Sequence, residues 1–369
     1  MSKRTRYLGL DVHKQTITIS VAEDGPPEEL GTIPNDPSSI LKVVKRLGGP
    51  NVRLVAAYEA GPTGYVLHRQ LRTLGVDCAV VAPSLIPTRP GDRIKTDRRN
   101  SLKLARLLRS GDLTPVWIPD EEHEGLRGLV RARADAKVDQ LRAHHRLTKF
   151  LLVKGQAPPP GVHPWTAKWQ TWLGRLQFER ATDMVVFEDY RAVARAADDR
   201  VKRLEAALRD AGDASRHVAL LRALQALRGV GYLTVITIVA EAGDLTRFRT
   251  AREFMAYCGL VPSERSSGGS RHRGSITKTG NALLRHVLGE TAHHSWRSPR
   301  RSRNLELRQR GVPAAVIEID WAAQQRLHLR YQRWAARIGR PKTITAVARE
   351  LAGFVWSVGQ LRLEEGAAA

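Results

Sequence analysis

The tightest constraint on the fold is a set of short apolar runs crowded into the first 83 residues. VRLVAAYE at 52–59 and VDCAVVAP at 76–83 have strand length and read as buried strands, the second stopped by Pro83. Residues 6–11 and 15–21 (YLGLD, QTITISVA) alternate or run apolar and read as a hairpin joined by VHK. LGTIP at 30–34 supplies a third strand. Helical spacing marks SSILKVVKRL at 38–47, GYVLHRQLRTLG up to Gly75, and residues 98–110.

The resulting order, β-β-β-α-β-α-β-α, is that of an α/β ribonuclease H-like domain, with strands in the centre and helices on the faces. Many α/β folds share such an alternation, and the placement of acids sharpens the reading. Asp11 closes YLGLD, Glu59 closes VRLVAAYE, and Asp97 opens the helical stretch TDRRNSLKLARLL. Two-metal phosphoryl chemistry needs several carboxylates converging on ions about 4 Å apart. Mg²⁺ favours such oxygen ligands. Position 100 lies one turn on from Asp97, on the same helix face, and is Asn. It offers a carbonyl oxygen but no charge. Ordinary strand-end and helix-capping roles are the competing explanation for each acid.

The chain's charge favours the first explanation. Sixty Lys and Arg against 37 Asp and Glu give a formal charge of +23, which argues for a polyanionic partner, nucleic acid before a membrane surface. No apolar run approaches the ~20 residues of a membrane span, and the opening MSKRTRYLGLD lacks the apolar core of a signal peptide. Cys78 and Cys258 define neither a disulfide framework nor a zinc site, and both sit in apolar surroundings suited to core packing. A reducing, cytoplasmic location is expected.

Beyond residue 118 the character changes. Segments 121–155 and 178–210 are charged and helical, separated by the Pro-rich break QAPPPGVHPW. Two long helices in a hairpin or coiled coil fit, serving either as a solvated spacer or in dimerisation. Trp165, Trp169 and Trp172 follow the break at helical spacing, for packing or for base stacking. The paired histidines, His144–His145 and His293–His294, lack a third ligand at metal spacing. From about 216, HVALLRALQALRGVGYLTVITIVAEAGDLTRF reads helix, tight Gly turn, helix. The turn at Gly229 and Gly231 is either a helix-hairpin-helix phosphate site or a plain turn between packed helices. Residues 263–281 read as a polar, basic Gly/Ser loop, followed by a helix at ALLRHVLGETAHHSW and another at 341–358. Across 263–310 there are eleven basic residues and three acids, an asymmetry suited to phosphate contact. Arg271, Arg273 and Lys278 lie within the loop, and Lys95, Arg98 and Arg99 flank Asp97. Ser266 and Ser267 precede Gly268 and Gly269, where an Arg-ringed hydroxyl could attack a phosphodiester.

Taken in order, these segments resemble the DEDD-type insertion-sequence transposases, the insertion sequence one-ten family, regarded as bridge-RNA-guided recombinases. LGLDVHKQTITISV resembles the family's opening strand and first catalytic acid, placing it at Asp11. YEAGPTGY resembles the segment with the second acid, at Glu59, and RIKTDRRNSLKLARLL the segment with the third, at Asp97. LRGVGYLTVITIVAEAGDLTRF and FMAYCGLVPSERSSGGSRHRGSITKTGNALLR resemble the C-terminal transposase domain and its serine segment, carrying the nucleophile onto Ser267. The chain departs from the pattern at Asn100, where the family has a fourth Asp, and at Ser101, usually Ala.

The resemblance implies three parts: a RuvC-like domain at 1–118, a helical coiled-coil linker at 119–215, and a mostly α C-terminal transposase domain at 216–369 with the helix-hairpin-helix-like segment. It implies Mg²⁺ held by Asp11, Glu59 and Asp97, a transient phosphoserine link at Ser267, and composite sites across the protomers of a dimer or tetramer. The implied partners are element and target DNA and a structured guide RNA. Asn100 motivates a second reading, a catalytically weakened or silent nucleic-acid-binding relative, in which Asp92 is a poorly placed substitute for the missing acid. A metal-only junction nuclease that cuts with water is the third.

Overall fold

A five-stranded sheet organises the first part of the chain. The computed structural model describes residues 4–87, 96–267 and 270–363. Its strands are β1 (Arg4–Val12), β2 (Thr16–Ala22), β3 (Glu28–Pro34), β4 (Val52–Glu59) and β5 (Asp77–Val81), in the order β3-β2-β1-β4-β5. Strands β1 to β3 form an antiparallel meander, and β1, β4 and β5 run parallel. The helices are α1 (Pro37–Leu47), α2 (Val66–Thr73) and α3 (Asp97–Ser110). This is the expected order, element by element, and it fits the mixed α/β sheet of a ribonuclease H-like domain.

Alternation along β1 sends its residues to two different layers. Leu8 and Leu10 join Ile40, Val43, Leu47, Leu67 and Leu71 of α1 and α2 in one core. Gly9 points the other way, onto α3. A Cβ at Gly9 would lie 2.1 Å from the Ser101 carbonyl oxygen and 2.3 Å from the Ala105 nitrogen. Only glycine lets α3 come this close to the sheet. Ser20 on β2 and Ser101 on α3, both fully buried, share a hydrogen bond of 2.8 Å across the same seam. The departure at Ser101 therefore has a structural partner. Local signals start and stop α3: the Thr96 hydroxyl accepts from the Arg99 N–H, and Gly111 ends the helix at φ 77°.

The described residues divide into two compact units, 1–119 and 120–369. In the second, α4 (Glu121–Val153) and α6 (Ala181–Asp213) pair along their lengths. Arg133 with Glu205, Gln140 with Asp198 and Lys154 with Asp183 show that they run antiparallel. The short α5 (Ala167–Leu173) closes the far end, where Trp169, Leu173 and Phe187 are buried. Trp165 stacks flat on His144, with ring centroids 3.4 Å apart. The tryptophans thus pack, as the apolar reading of their spacing implied.

The remaining helices are α7 (Val218–Gln225), α8 (Tyr232–Ala242), α9 (Ala251–Tyr257), α10 (Ala282–Ala292), α11 (Arg303–Gln309), α12 (Ala314–Ile338) and α13 (Arg340–Gly359). Helix α8 is buried from Val235 to Ala242 and forms the centre of this core. Leu126 and Val130 of α4 and Leu208 of α6 belong to the same apolar cluster. The helical pair therefore shares a core with the C-terminal helices, with no break near residue 215. Glu241, 1 % exposed, takes a fork of bonds from Arg131 at 2.7 and 2.9 Å and a third from Asn281.

Two features differ from the sequence reading. The supposed loop at 263–281 holds an antiparallel hairpin, β6 (Pro262–Ser267) and β7 (Ser270–Ile276), with Ser267 opposite Ser270. Its strands are polar, so the period of two has no apolar face to reveal it, although Gly-Gly between two runs is a hairpin signal. The 25-residue helix α12 has no clear apolar stripe in the sequence, because its buried positions include Asp320 and Gln324. Among the described residues no helix is long and apolar enough to cross a membrane.

Candidate metal centre

The strand register brings the first two acids together. Gly9 pairs with Ala57 and Leu10 with Tyr58 in parallel, so Asp11 and Glu59 are the next residues along each strand. Both leave the C-terminal edge of the sheet on the α3 side. That edge is where open α/β sheets place their ligands. Helix α3 brings the third acid, because Asp97 is its first residue and Gly9 fixes its distance from β1. An open cleft of about 820 Å³ lies over this edge, lined among others by Asp11, His13, Lys14 and Glu59.

Asn100 is 6 % exposed and donates an amide N–H to Asp11 Oδ1 at 3.1 Å. A carboxylate only accepts, so the amide must turn its N–H end inward. Position 100 thus faces the acids, as its spacing from Asp97 implied, but it braces Asp11 without adding charge. Burial raises the Asp11 carboxyl above its ordinary value; the Asn100 bond and the His13 charge oppose the shift, and the charges of Asp97 and Glu59 add to it.

The sequence reading missed His13. Its Nε2 lies 3.7 Å from Asp11 Oδ2 and 3.4 Å from Asp97 Oδ1. Together Asp11, His13 and Asp97 offer ligand atoms all within 4.8 Å of one another. Donors on one octahedral ion with bonds of ~2.1 Å sit about 3 Å apart when adjacent and about 4.2 Å when opposite. The donor set therefore fits a single divalent cation. A signal was available: residues two apart in an extended hairpin arm face the same side.

Arg98 is paired with Glu29 at 2.8 Å, while Arg99 is exposed. Lys95 and Asp92 lie outside the described residues, as do the side chains of Ser266, Ser267, Arg271 and Arg273. The backbone of Ser267 ends β6. Lys278 is exposed, with a positive φ of 54°. At the second Gly turn, Gly229 has φ 80° and rests against His294, and Gly231 caps α8. Asp320 accepts from the Arg228 N–H at 2.8 Å and Arg308 donates to the Val230 carbonyl at 2.7 Å, bracing the turn from both sides.

Residues 8–154 match a family model described as a transposase, of the DEDD type found in IS110 elements. Residues 221–306 match the model of the transposase IS116/IS110/IS902 family. A putative transposase of Sinorhizobium fredii is 40 % identical over 362 residues, 97 % of this chain and 89 % of that protein. The transposase for insertion sequence element IS1533 of Leptospira borgpetersenii is 32 % identical over 336 residues, 89 % of this chain and 96 % of its own. A probable family 20 transposase of Pseudomonas aeruginosa is 27 % identical over 73 % of this chain and 80 % of its own.

Proposed function

This chain belongs to the IS116/IS110/IS902 family of transposases and is a DNA transposase, and from that premise we propose that it cuts and rejoins DNA through a covalent bond to Ser267, assisted by a divalent cation at Asp11, Glu59 and Asp97. The observation that carries the reading is the approach of Asp97 to Asp11, which itself lines one open cleft together with Glu59.

In the proposed reaction the Ser267 hydroxyl attacks a backbone phosphorus. The phosphorus–oxygen bond to one deoxyribose breaks, the serine loses its proton, and the departing sugar oxygen gains one. Attack by a second DNA hydroxyl on the phosphoserine reverses the exchange and rejoins the strands, so no external energy source is needed. A bound divalent cation supplies charge neutralisation at the phosphate and activation of the attacking oxygen. Asp11 and Asp97 would hold such an ion, Glu59 would add negative charge on the β4 side, and Asn100 keeps Asp11 oriented. Arg99, Arg271, Arg273 and Lys278, with the turn at Gly229 and Gly231, take the DNA backbone without reading its bases. Sequence choice then falls to a structured RNA paired with donor and target. The active assembly is a dimer or tetramer.

The test is strand exchange between cognate element ends and target, with the element's RNA supplied, followed by denaturing separation of protein–DNA adducts. The parent and Ser266→Ala are expected to form the adduct; Ser267→Ala is expected to lose both adduct and exchange. Normal recombination by Ser267→Ala would remove the serine from the mechanism. Cleavage without any adduct would favour water as nucleophile. A second reading rests on Asn100: its neutral amide leaves the site one acid short, which favours a weakened enzyme whose strand exchange rises sharply on Asn100→Asp.

A further inference from the structure

Resting on the metal-assisted reading above, we infer that His13 is a ligand of the cation, and that the site is built for a first-row transition ion of the Mn²⁺ type in preference to Mg²⁺. Three observations lead there.

The first is position. His13 Nε2 approaches both acids, at 3.7 Å from Asp11 and 3.4 Å from Asp97. Those separations lie between the adjacent and opposite spacings of an octahedral ion, about 3 and 4.2 Å.

The second is rigidity. His13 sits in the β1–β2 connection, and that connection is tied down at its backbone. The His13 N–H donates to the Thr16 carbonyl at 2.8 Å, and the Asn35 side chain donates to the His13 carbonyl at 2.8 Å. Only two side-chain torsions are left to set the ring. A metal site gains affinity when its ligands are fixed beforehand.

The third is what stands at position 100. Asn100 turns its N–H to Asp11, so its carbonyl oxygen points elsewhere and it contributes no charge. The set around the ion is then two carboxylates and one neutral imidazole nitrogen, with Glu59 beside Asp11. Mg²⁺ keeps to oxygen donors in near-ideal octahedral geometry; imidazole best suits Fe, Ni, Cu and Zn, and Mn²⁺, which shares the carboxylate preference of Mg²⁺, is the first-row ion that suits this mixed oxygen and nitrogen set. A set short of one acid and holding an imidazole therefore favours Mn²⁺ over Mg²⁺. The competing role for His13 is a plain ion pair with Asp11 and Asp97, in which its ring never touches the metal.

The experiment uses the full-length protein, freed of metal and titrated with Mn²⁺, with electron paramagnetic resonance reading free and bound ion. Pulsed measurements on the bound ion detect a directly coordinated ¹⁴N. The parent is expected to show that nitrogen coupling, and to bind Mn²⁺ at least ten-fold more tightly than Mg²⁺ measured by competition. In His13→Gln the coupling should vanish and the Mn²⁺ preference should fall towards parity, with Asp11 and Asp97 still binding. Absence of the coupling in the parent, or its persistence in His13→Gln, overturns the inference while leaving the carboxylate site standing. Asp11→Asn separates the two levels. If it binds Mn²⁺ as the parent does, the metal site itself is elsewhere, and the inference falls with it.

Discussion

Replacing Asn100 by Asp should make the stability of this chain depend more steeply on a divalent cation. In the parent, the Asn100 amide donates to Asp11 at 3.1 Å inside a pocket where position 100 is 6 % exposed. The variant puts two carboxylate oxygens at that distance. It loses a hydrogen bond to a charged group, about 1.5–3 kcal/mol. It also gains a like-charge repulsion of roughly 5 kcal/mol at an effective dielectric of ~20, an upper bound. Sharing a proton or turning one carboxyl outward relieves much of that. A net loss of about 2–4 kcal/mol without metal follows, a fall in melting temperature on the order of 10 °C for a unit of this size. A bound cation reverses the sign, because the new acid becomes a ligand. At a hundred times the dissociation constant it restores about 2.7 kcal/mol. The assay is thermal unfolding of parent and variant in EDTA and across a Mn²⁺ or Mg²⁺ series. Equal melting temperatures in EDTA, with equal metal responses, would refute the placement of Asn100 against Asp11.

The Ser20–Ser101 bond offers a cleaner stability test away from the acids. Ser101→Ala leaves the fully buried Ser20 hydroxyl without this partner and should cost about 1–3 kcal/mol in urea unfolding, whereas Ser20→Ala with Ser101→Ala should recover much of it. A double variant weaker than the sum of the single ones would contradict a shared bond. Glu241 should contribute to the acid limb of the second unit. Burial pushes its carboxyl up, but the bonds from Arg131 and Asn281 and the charges of Arg131 and Arg127 outweigh this and leave it below its usual 4.5. Its contribution is therefore complete above that value and is lost as pH falls through the depressed folded value. Glu241→Gln should flatten the acid limb of unfolding free energy between pH 6 and 3, and destabilise the protein at neutral pH by removing the charge that the Arg131 fork and the Asn281 amide bind. An unchanged acid limb would mean that other carboxylates control it.

Particular residues show where sequence reading succeeds. The places of Asp11 one residue before the end of β1, of Glu59 at the end of β4 and of Asp97 at the start of α3 follow from local chemistry: apolar runs of strand length, and Thr96 as a helix cap. Periodicity and capping are local, so a linear text records them. The family resemblance then matched the segments in order, and the comparisons bear it out over 97 % of the chain. The polar hairpin β6–β7 escaped because neither strand carries an apolar face. Helix α12 escaped because Asp320 and Gln324, buried in a network with Gln309 and Arg228, stand where apolar residues would have marked its stripe.

By itself the sequence determined the element order of the first unit, the three acids, the missing fourth charge at Asn100, and a basic surface suited to nucleic acid. Only the tertiary structure decided how those acids meet. Parallel pairing of β1 with β4 aligns Asp11 and Glu59, and the bare Gly9 lets α3 settle against the sheet so that Asp97 reaches the same edge. It also decided that Asn100 holds Asp11 and that His13 stands between two acids. The physical reason is that a side chain's neighbours across a sheet are set by register and by the closeness of layers. Both depend on contacts between residues as far apart as Gly9 and Ser101, which no local pattern encodes.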